Sequence, residues 1–181
     1  MQHQEARHIL REIAISNYRD FLNNQLSVRH AFNTAISIAH MVDYICDGMK
    51  GKVANKRREF EERSKPFKHI VAMCNAIKHV RASRRGSNEA AATARDVTVV
   101  NSRTVLFTDE IDGSLKSFWP EGELLVFVYN DNGQRRKVWV GFELFCALLF
   151  VAKELDCEGL VHAEGLPDEV SLVYRDCGGS T

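Results

Sequence analysis

Apolar positions recur with helical spacing along the N-terminal half of the chain. A first amphipathic helix is predicted over about residues 4–23. Its apolar face consists of Ile9, Ile13, Ala14, Tyr18, Phe21 and Leu22. A second helix is predicted from Val28 to about Asp47, with Ser27 as its N-cap. A third is predicted from about Lys65 to Arg81, because Pro66 suits the first turn of a helix.

The stretch between the second and third helices is charged nearly all round. It reads KGKVANKRREFEERS (50–64), with Phe60 as its main apolar residue. We interpret it as a short surface helix or as a loop that orders on contact. After the third helix, RASRRGSNEAAATAR (81–95) has no clear period and is interpreted as a linker or mobile loop.

After residue 96 the apolar positions alternate, which is typical of strands. Strands are predicted at about 97–100 and 103–108. The stretch ELLVFVYNDNGQRRKVWV (123–140) predicts a hairpin with its turn at 130–133, since Asn and Gly both tolerate positive φ. An apolar helix is predicted at 141–155, packed on the N-terminal helices or on the sheet.

These elements predict an α+β fold that is mainly α. It would consist of an antiparallel helical bundle, a small appended antiparallel β-sheet made of hairpins, and a C-terminal apolar helix. A single domain is expected over residues 1–155, with a helical core at 1–85, hairpins at 96–140 and a packing helix at 141–155. Residues 156–181 form an acidic tail in this interpretation, mobile or with one short element.

The net charge of the 181 residues is zero, but the charge is unevenly distributed. Residues 50–95 carry 13 basic and 4 acidic groups, whereas residues 96–181 carry 7 and 15. Such a split favours a polyanionic partner such as RNA, a protein partner, or two halves that face each other within the fold or across a dimer.

Several classes of protein and site are disfavoured by the sequence. No apolar run approaches the roughly 20 residues of a membrane span, and the first residues do not form a secretory signal, so a cytoplasmic protein is expected. The five cysteines lack CxxC spacing, which favours buried thiols over zinc or disulfides. Phosphate-binding glycine motifs, GxSxG and HExxH are absent, so no cofactor and no metal are predicted.

Polar residues line one face of each of two predicted helices. On the second helix these are Arg29, Asn33, His40 and Asp47, with Asp43 and Tyr44 beside them; on the third they are Lys68, Asn75 and His79. The two faces would meet if the helices are antiparallel neighbours. They could then cross-link the helices, or an imidazole near cationic and amide donors could bind phosphate and move a proton.

The phrase Asn75-Ala76-Ile77-Lys78-His79, together with the partner helix Ala31–Ile45, resembles a group of uncharacterised bacterial and phage proteins with an N-A-x-K-H helix. The resemblance covers roughly residues 10–155. This group is similar to the HEPN superfamily, which implies an all-α bundle, a homodimer and, in active members, RNA cleavage without a metal.

In the active pattern an Arg and a polar residue precede a His. His79 matches the His and Asn75 the polar residue, but Cys74 stands at the Arg position and cannot offer a guanidinium fork.

The resemblance and the polar faces together lead to two functional predictions. The first is a HEPN-like interaction or regulatory module that is non-catalytic or weakly active. The alternative is a metal-independent RNase, or a protein that binds RNA or another phosphate ligand, with His79 as its catalytic residue. Ligand binding is assigned to Arg29, Asn33, His40, Asp43, Asn75, Lys78 and Arg81. A small-molecule-binding module is a third possibility.

Overall fold

The computed structural model describes residues 3–78, 96–103, 105–108, 115–119, 121–131 and 134–161. The helices are α1 (Gln4–Ile9), a π-helical segment (Leu10–Ile15), α2 (Ser16–Leu22), α3 (Val28–Ile45), α4 (Lys50–Arg63), α5 (Lys65–Lys78), α6 (Val140–Glu154) and a 3-10 turn (Glu158–Leu160). The strands are β1 (Val97–Ser102), β2 (Val105–Thr108), β3 (Leu115–Trp119), β4 (Gly122–Asp131) and β5 (Gln134–Trp139). The predicted α+β fold, mainly helical, is confirmed.

The first predicted helix contains a π-helical segment that the apolar pattern does not reveal. Ala6, Leu10, Ala14 and Tyr18 are all buried and lie four residues apart. Because a π-helix has a wider turn than an α-helix, a spacing of four keeps these side chains on one face. Ile13, which the regular pattern places on the apolar face, is 44% exposed instead.

Polar caps start α3 and α5 where the sequence predicts. The Ser27 hydroxyl accepts a hydrogen bond from the His30 backbone N–H at 3.4 Å, and α3 follows directly. The hydroxyl of Ser64 likewise accepts from the Phe67 backbone N–H at 3.2 Å, with Pro66 in the first turn of α5. These caps satisfy backbone donors that have no partner within the helix. Helices α3 and α5 pack against each other.

The charged stretch 50–63 is a helix, α4, rather than a loop. Its anchor is Phe60, which is 0% exposed. The Phe60 ring meets Phe67 of α5 edge-on at a centroid distance of 5.4 Å and Phe150 of α6 at 5.0 Å. Edge-to-face pairs of this kind each add about 0.5–1.5 kcal/mol beyond the burial of area. One aromatic residue therefore attaches an otherwise polar helix to the core.

The predicted hairpin is confirmed as β4 and β5, which pair antiparallel up to Asp131 and Gln134. Strand β1 is confirmed, but it pairs with β4 on the other side from β5, giving the order β1-β4-β5. Strand β2 pairs with β3, a strand that the pattern did not predict. The five described strands therefore form a three-stranded sheet, in which β1 joins the β4–β5 hairpin, and a separate two-stranded β2–β3 sheet, rather than one small appended sheet.

Helix α6 packs against both partners that the sequence left open. It contacts α3 and α5 as well as β4 and β5, so it joins the helices to the sheet. Ten of its residues are buried, among them Leu144, Phe145 and Leu148. None of the helices that the structure describes is long and apolar enough to span a bilayer. The predicted tail is described only as far as residue 161.

Candidate functional site

The structure brings together two of the predicted site residues, His40 and Asp43, and adds a third residue from α4. Nδ1 of His40 lies 2.5 Å from Oδ2 of Asp43, one turn further along α3. The other carboxylate oxygen, Oδ1, lies 3.7 Å from Nη2 of Arg57. Asp43 therefore bridges an imidazole and a guanidinium at the contact between α3 and α4, and we call this group the His40–Asp43–Arg57 cluster.

The side chains of this cluster are partly exposed, and one of their nitrogens has no hydrogen-bond partner among the described residues. The side chains of His40, Asp43 and Arg57 are 44%, 34% and 35% exposed. The Asp43 carboxylate orients the His40 ring through Nδ1, so Nε2 is the nitrogen left to meet a ligand. The buried Nε of Arg57 has no hydrogen-bond partner within the described part of the chain. A half-exposed pair of this kind contributes only about 0–1 kcal/mol to the free energy of unfolding. A contribution to ligand binding therefore explains the cluster better than a contribution to stability does.

The other predicted site residues do not join this cluster. Arg29, Asn33 and Asn75 are exposed. Nη2 of Arg29 lies 3.4 Å from Nε2 of the adjacent His30. Lys78 ends α5, whereas the predicted catalytic His79 and the predicted ligand residue Arg81 lie outside the described residues.

Sequence reasoning missed Arg57, because α4 shows too weak an apolar stripe to indicate which face meets α3. The signal that was available is the density of basic residues in α4. The segment 50–58, which we call the cationic half of α4, has five basic residues and no acidic one. Its first turn contains no acid, and Met49 at the N-cap offers no side-chain hydrogen bond.

In the C-terminal half of α4, Glu59 and Arg63 are paired with each other and with neighbouring charges. Arg63 donates to both carboxylate oxygens of Glu154 on α6, and also to Glu59 at 2.9 Å. The hydrogen bond from Lys56 (2.9 Å) and the one from Arg63 hold the pKa of Glu59 below its ordinary value. Bonding to Glu154 and Glu59 raises the pKa of Arg63. The basic segment therefore contacts the acidic C-terminal half at Glu154.

By contrast, two cations of the cationic half have no carboxylate partner among the described residues. Lys52 makes no ion pair there, and Nη2 of Arg58 donates to the amide oxygen of Asn55, at 3.2 Å. Both residues are exposed. Positive charge is therefore left available on α4, at Lys52 in the first turn, where the helix dipole is also positive, and at Arg58 near the middle of the helix.

A cavity of about 290 Å³ lies where α3 ends and α4 begins, next to the cluster. It is lined by His3, Ile45, Cys46, Asp47, Met49, Lys52, Lys56 and Glu154. Cys46 is 9% exposed, and burial raises the pKa of its thiol although Lys56 and Lys52 act in the opposite direction. We call this the α3–α4 cavity. No group of three or more His, Cys, Asp or Glu suited to a metal occurs among the described residues.

A second His–carboxylate pair is buried and was not predicted. Nδ1 of His69 on α5 lies 2.7 Å from Oε2 of Glu143 on α6, and their side chains are 7% and 10% exposed. The His69 ring also lies against Tyr129 of β4, with centroids 4.3 Å apart. This pair links two helices and the sheet, and its burial makes it a structural group rather than a ligand site.

Comparisons with protein-family models, with curated proteins and with solved structures found no significant match. The resemblance to the HEPN superfamily therefore stays a prediction, and the site has to be interpreted from its own geometry.

One observation bears on the active pattern that the resemblance implies. Cys74, at the position of the motif Arg, is 5% exposed, whereas the next residue, Asn75, is exposed. The side chain at position 74 thus belongs to the core.

Proposed function

We propose that this chain is a non-catalytic binding module that takes up a phosphate-bearing polymer, RNA, through the cationic half of α4. The observation that carries the proposal is the set of five basic residues without an acid at the N-terminal end of this helix. Cations there oppose the helix dipole by about 0.3–1 kcal/mol each in the first turn, so they are not placed for helix stability. A bound polyanion would reverse the sign of that effect.

The His40–Asp43–Arg57 cluster extends this surface onto α3. Arg57 belongs to the cationic half, and its guanidinium is held by Asp43 at 3.7 Å while still 35% exposed. A guanidinium can bind phosphate through two parallel hydrogen bonds. With the Nδ1–H of a neutral His40 ring given to Asp43, Nε2 accepts, which suits a hydroxyl or amino group of the RNA. The cluster thus supplies directional contacts next to the less directional lysines.

We propose a module without catalytic activity because Cys74 stands at the position of the motif Arg. Burial of this side chain means that an arginine at the same position would have to displace core residues before it could reach a phosphate. A metal-independent RNase that uses His79 stays the alternative prediction, and a HEPN-like bundle and a homodimer belong to the same proposal. Incubation of the purified protein with labelled RNA in the presence of a chelator tests the alternative.

Binding is tested by fluorescence anisotropy with a short single-stranded oligoribonucleotide at increasing salt. The affinity should fall steeply between about 50 and 200 mM salt, because each phosphate contact on a single strand contributes about −0.7 to the slope of log K against log salt. The double variant Lys52→Gln/Arg58→Gln should bind at least about tenfold more weakly and lower that slope by about 1.4.

A matched control removes two exposed cations elsewhere. Arg136 and Lys137 on β5 are exposed and have no ion pair with a described residue, so Arg136→Gln/Lys137→Gln changes the net charge by the same amount. This variant should keep the affinity of the unmodified protein. The proposal is wrong if no RNA binds at low salt, or if the β5 variant loses as much affinity as the α4 variant.

A further inference from the structure

We infer that His40 and Tyr44, neighbours on one exposed face of α3, select an unpaired ribonucleotide beside the cationic half of α4. This inference rests on the proposed function and adds to it which feature of the RNA is recognised. In it, the Tyr44 ring stacks on one base, and Nε2 of His40 accepts a hydrogen bond from the 2′-hydroxyl of a ribose. Arg57, which Asp43 holds at 3.7 Å, binds the adjoining phosphate.

The side chains of Asp43, His40 and Tyr44 lie next to one another around α3. Each residue of an α-helix is turned by about 100° from the one before it, so these three follow in that order within about 100° of the helix surface. Residues four apart, such as His40 and Tyr44, have Cβ atoms about 5–6 Å apart. Arg57 adjoins this face on the side of Asp43. The imidazole therefore lies between a guanidinium and an aromatic ring.

Tyr44 offers a surface on which a base can stack. Among the large hydrophobic side chains that are exposed in the described part of the chain, it is the one aromatic, at 37% exposure. Its ring has no aromatic or cation–π partner among the described residues. Unpaired bases stack on such rings, whereas the bases of a duplex are stacked on each other. A ring at this place thus favours a single strand over a duplex.

The orientation of the His40 ring decides which group of the nucleotide it can recognise. A neutral ring that donates from Nδ1 to Asp43, at 2.5 Å, presents a lone pair at Nε2. Nε2 forms no hydrogen bond with a described residue, and the side chain is 44% exposed. A hydroxyl group can donate to this lone pair, and the 2′-hydroxyl is the group that distinguishes RNA from DNA. Phosphate oxygens only accept, so they bind Arg57 instead of His40.

Arg57 connects this face to the cationic half of α4. It belongs to that half and contacts Asp43 of α3, and a ribose is joined directly to its phosphate. A phosphate on the guanidinium therefore places its ribose beside His40. Lys52 and Arg58, which have no carboxylate partner among the described residues, would hold the neighbouring phosphates.

The test measures the full chain's affinity for one sequence in four forms: single-stranded RNA, the same strand with 2′-fluoro riboses, the DNA strand, and the RNA duplex. Single-stranded RNA should bind about fivefold more tightly than the DNA strand, as one neutral hydrogen bond allows. The 2′-fluoro strand keeps the sugar pucker of RNA but cannot donate, so it should bind like DNA. The duplex should bind at least about fivefold more weakly than the single strand, because it offers no unpaired base.

Substitutions on α3 assign each preference to one side chain. His40→Leu should bring the RNA-to-DNA ratio to about one, whereas His40→Gln has an amide oxygen that can accept and should keep most of it. Tyr44→Ala should weaken single-strand binding at least about fivefold and leave the duplex unchanged, whereas Tyr44→Phe keeps the ring and the affinity. His8→Leu, at an exposed position of α1, is the control and should change neither preference. A thermal melt checks that each variant folds, and Tyr44→Leu replaces Tyr44→Ala if the latter does not.

Each outcome decides between the two proposals. If the four nucleic acids bind equally, the inference is wrong and the proposed function stands, because the salt dependence and the Lys52→Gln/Arg58→Gln variant test the latter. If none binds, both are wrong. A preference for RNA over DNA that persists in His40→Leu overturns the inference. A loss in Tyr44→Ala that is equal for single strand and duplex also overturns it, because stacking on an unpaired base would then not explain the loss.

Discussion

The buried pair of His69 and Glu143 permits the sharpest test of how this fold is stabilised. Replacement of Glu143 by Ala removes the partner of His69 at 2.7 Å and leaves the imidazole in a site where its side chain is only 7% exposed. Loss of one member of a buried, hydrogen-bonded His–carboxylate pair costs about 3–5 kcal/mol, mainly because the remaining group is left without a partner. We expect a loss of that size in the free energy of unfolding.

The loss can be measured by urea and thermal unfolding followed by circular dichroism. For a chain of this length about 1 kcal/mol lowers Tm by about 2–4 °C, so Glu143→Ala should lower Tm by about 6–20 °C. Glu143→Gln keeps an acceptor oxygen and loses only the charge, so it should cost about 1 kcal/mol. Glu123→Ala, the same change at an exposed position of β4, is the control and should stay within about 0.5 kcal/mol.

A double variant separates the pairing from the packing. His69→Phe/Glu143→Met keeps a ring against Tyr129 and fills both sites with apolar groups of similar size. Because the desolvation cost of both polar groups disappears, its stability should come within about 1 kcal/mol of the unmodified protein or exceed it. The reasoning is refuted if the double variant loses as much stability as the single variants His69→Phe and Glu143→Met lose when added together. It is also refuted if Glu143→Ala lowers the free energy of unfolding by less than about 1 kcal/mol.

Three further predictions concern other parts of the fold. Phe60→Ala should cost about 3–5 kcal/mol, because it removes the aromatic anchor of α4, whereas Phe60→Leu should cost less; urea unfolding would show both. Tyr18→Phe should be neutral or stabilising in a thermal melt, since the buried Tyr18 hydroxyl has no hydrogen-bond partner among the described residues. Because the pKa of Glu59 is lower in the folded state, its ionised form stabilises the fold above its ordinary pKa of 4.5, and this stability is lost as the pH falls through the folded value. The variant Glu59→Gln lacks this contribution, so its Tm, measured in thermal melts, should fall less than that of the unmodified protein between neutral pH and about pH 3.

The elements that could be predicted are those with a strong local pattern. The β4–β5 hairpin follows from alternating apolar residues on either side of Asn-Gly, and the caps at Ser27 and Ser64 belong to helices with a clear apolar face. Strand β3 was missed because its sequence, LKSFW, does not alternate apolar and polar residues. The partner of β1 was missed because it lies more than 20 residues along the chain and nothing local encodes such pairing.

The candidate site likewise contains one contact that local geometry decides and one that depends on how two helices pack. His40 and Asp43 were placed together because they are three residues apart on one helix, and helical geometry decides that contact. The contact of Arg57 with Asp43 depends on how α4 is oriented against α3, which Phe60 determines through its packing with Phe67 and Phe150. A sequence with one apolar anchor in fourteen residues does not indicate that orientation.

The buried pair did leave a signal, which shows how such groups could be found. Glu143 is an acid in the otherwise apolar stretch GFELFCALLF, and His69 stands between apolar residues of α5. A charged residue on the core side of an apolar helix must find a partner, because its desolvation otherwise costs several kcal/mol. The two His–carboxylate pairs described above therefore differ in burial and in their expected roles. At 7% exposure His69 holds the helices to the sheet, whereas at 44% exposure the His40 side chain is open to solvent beside the cationic half of α4.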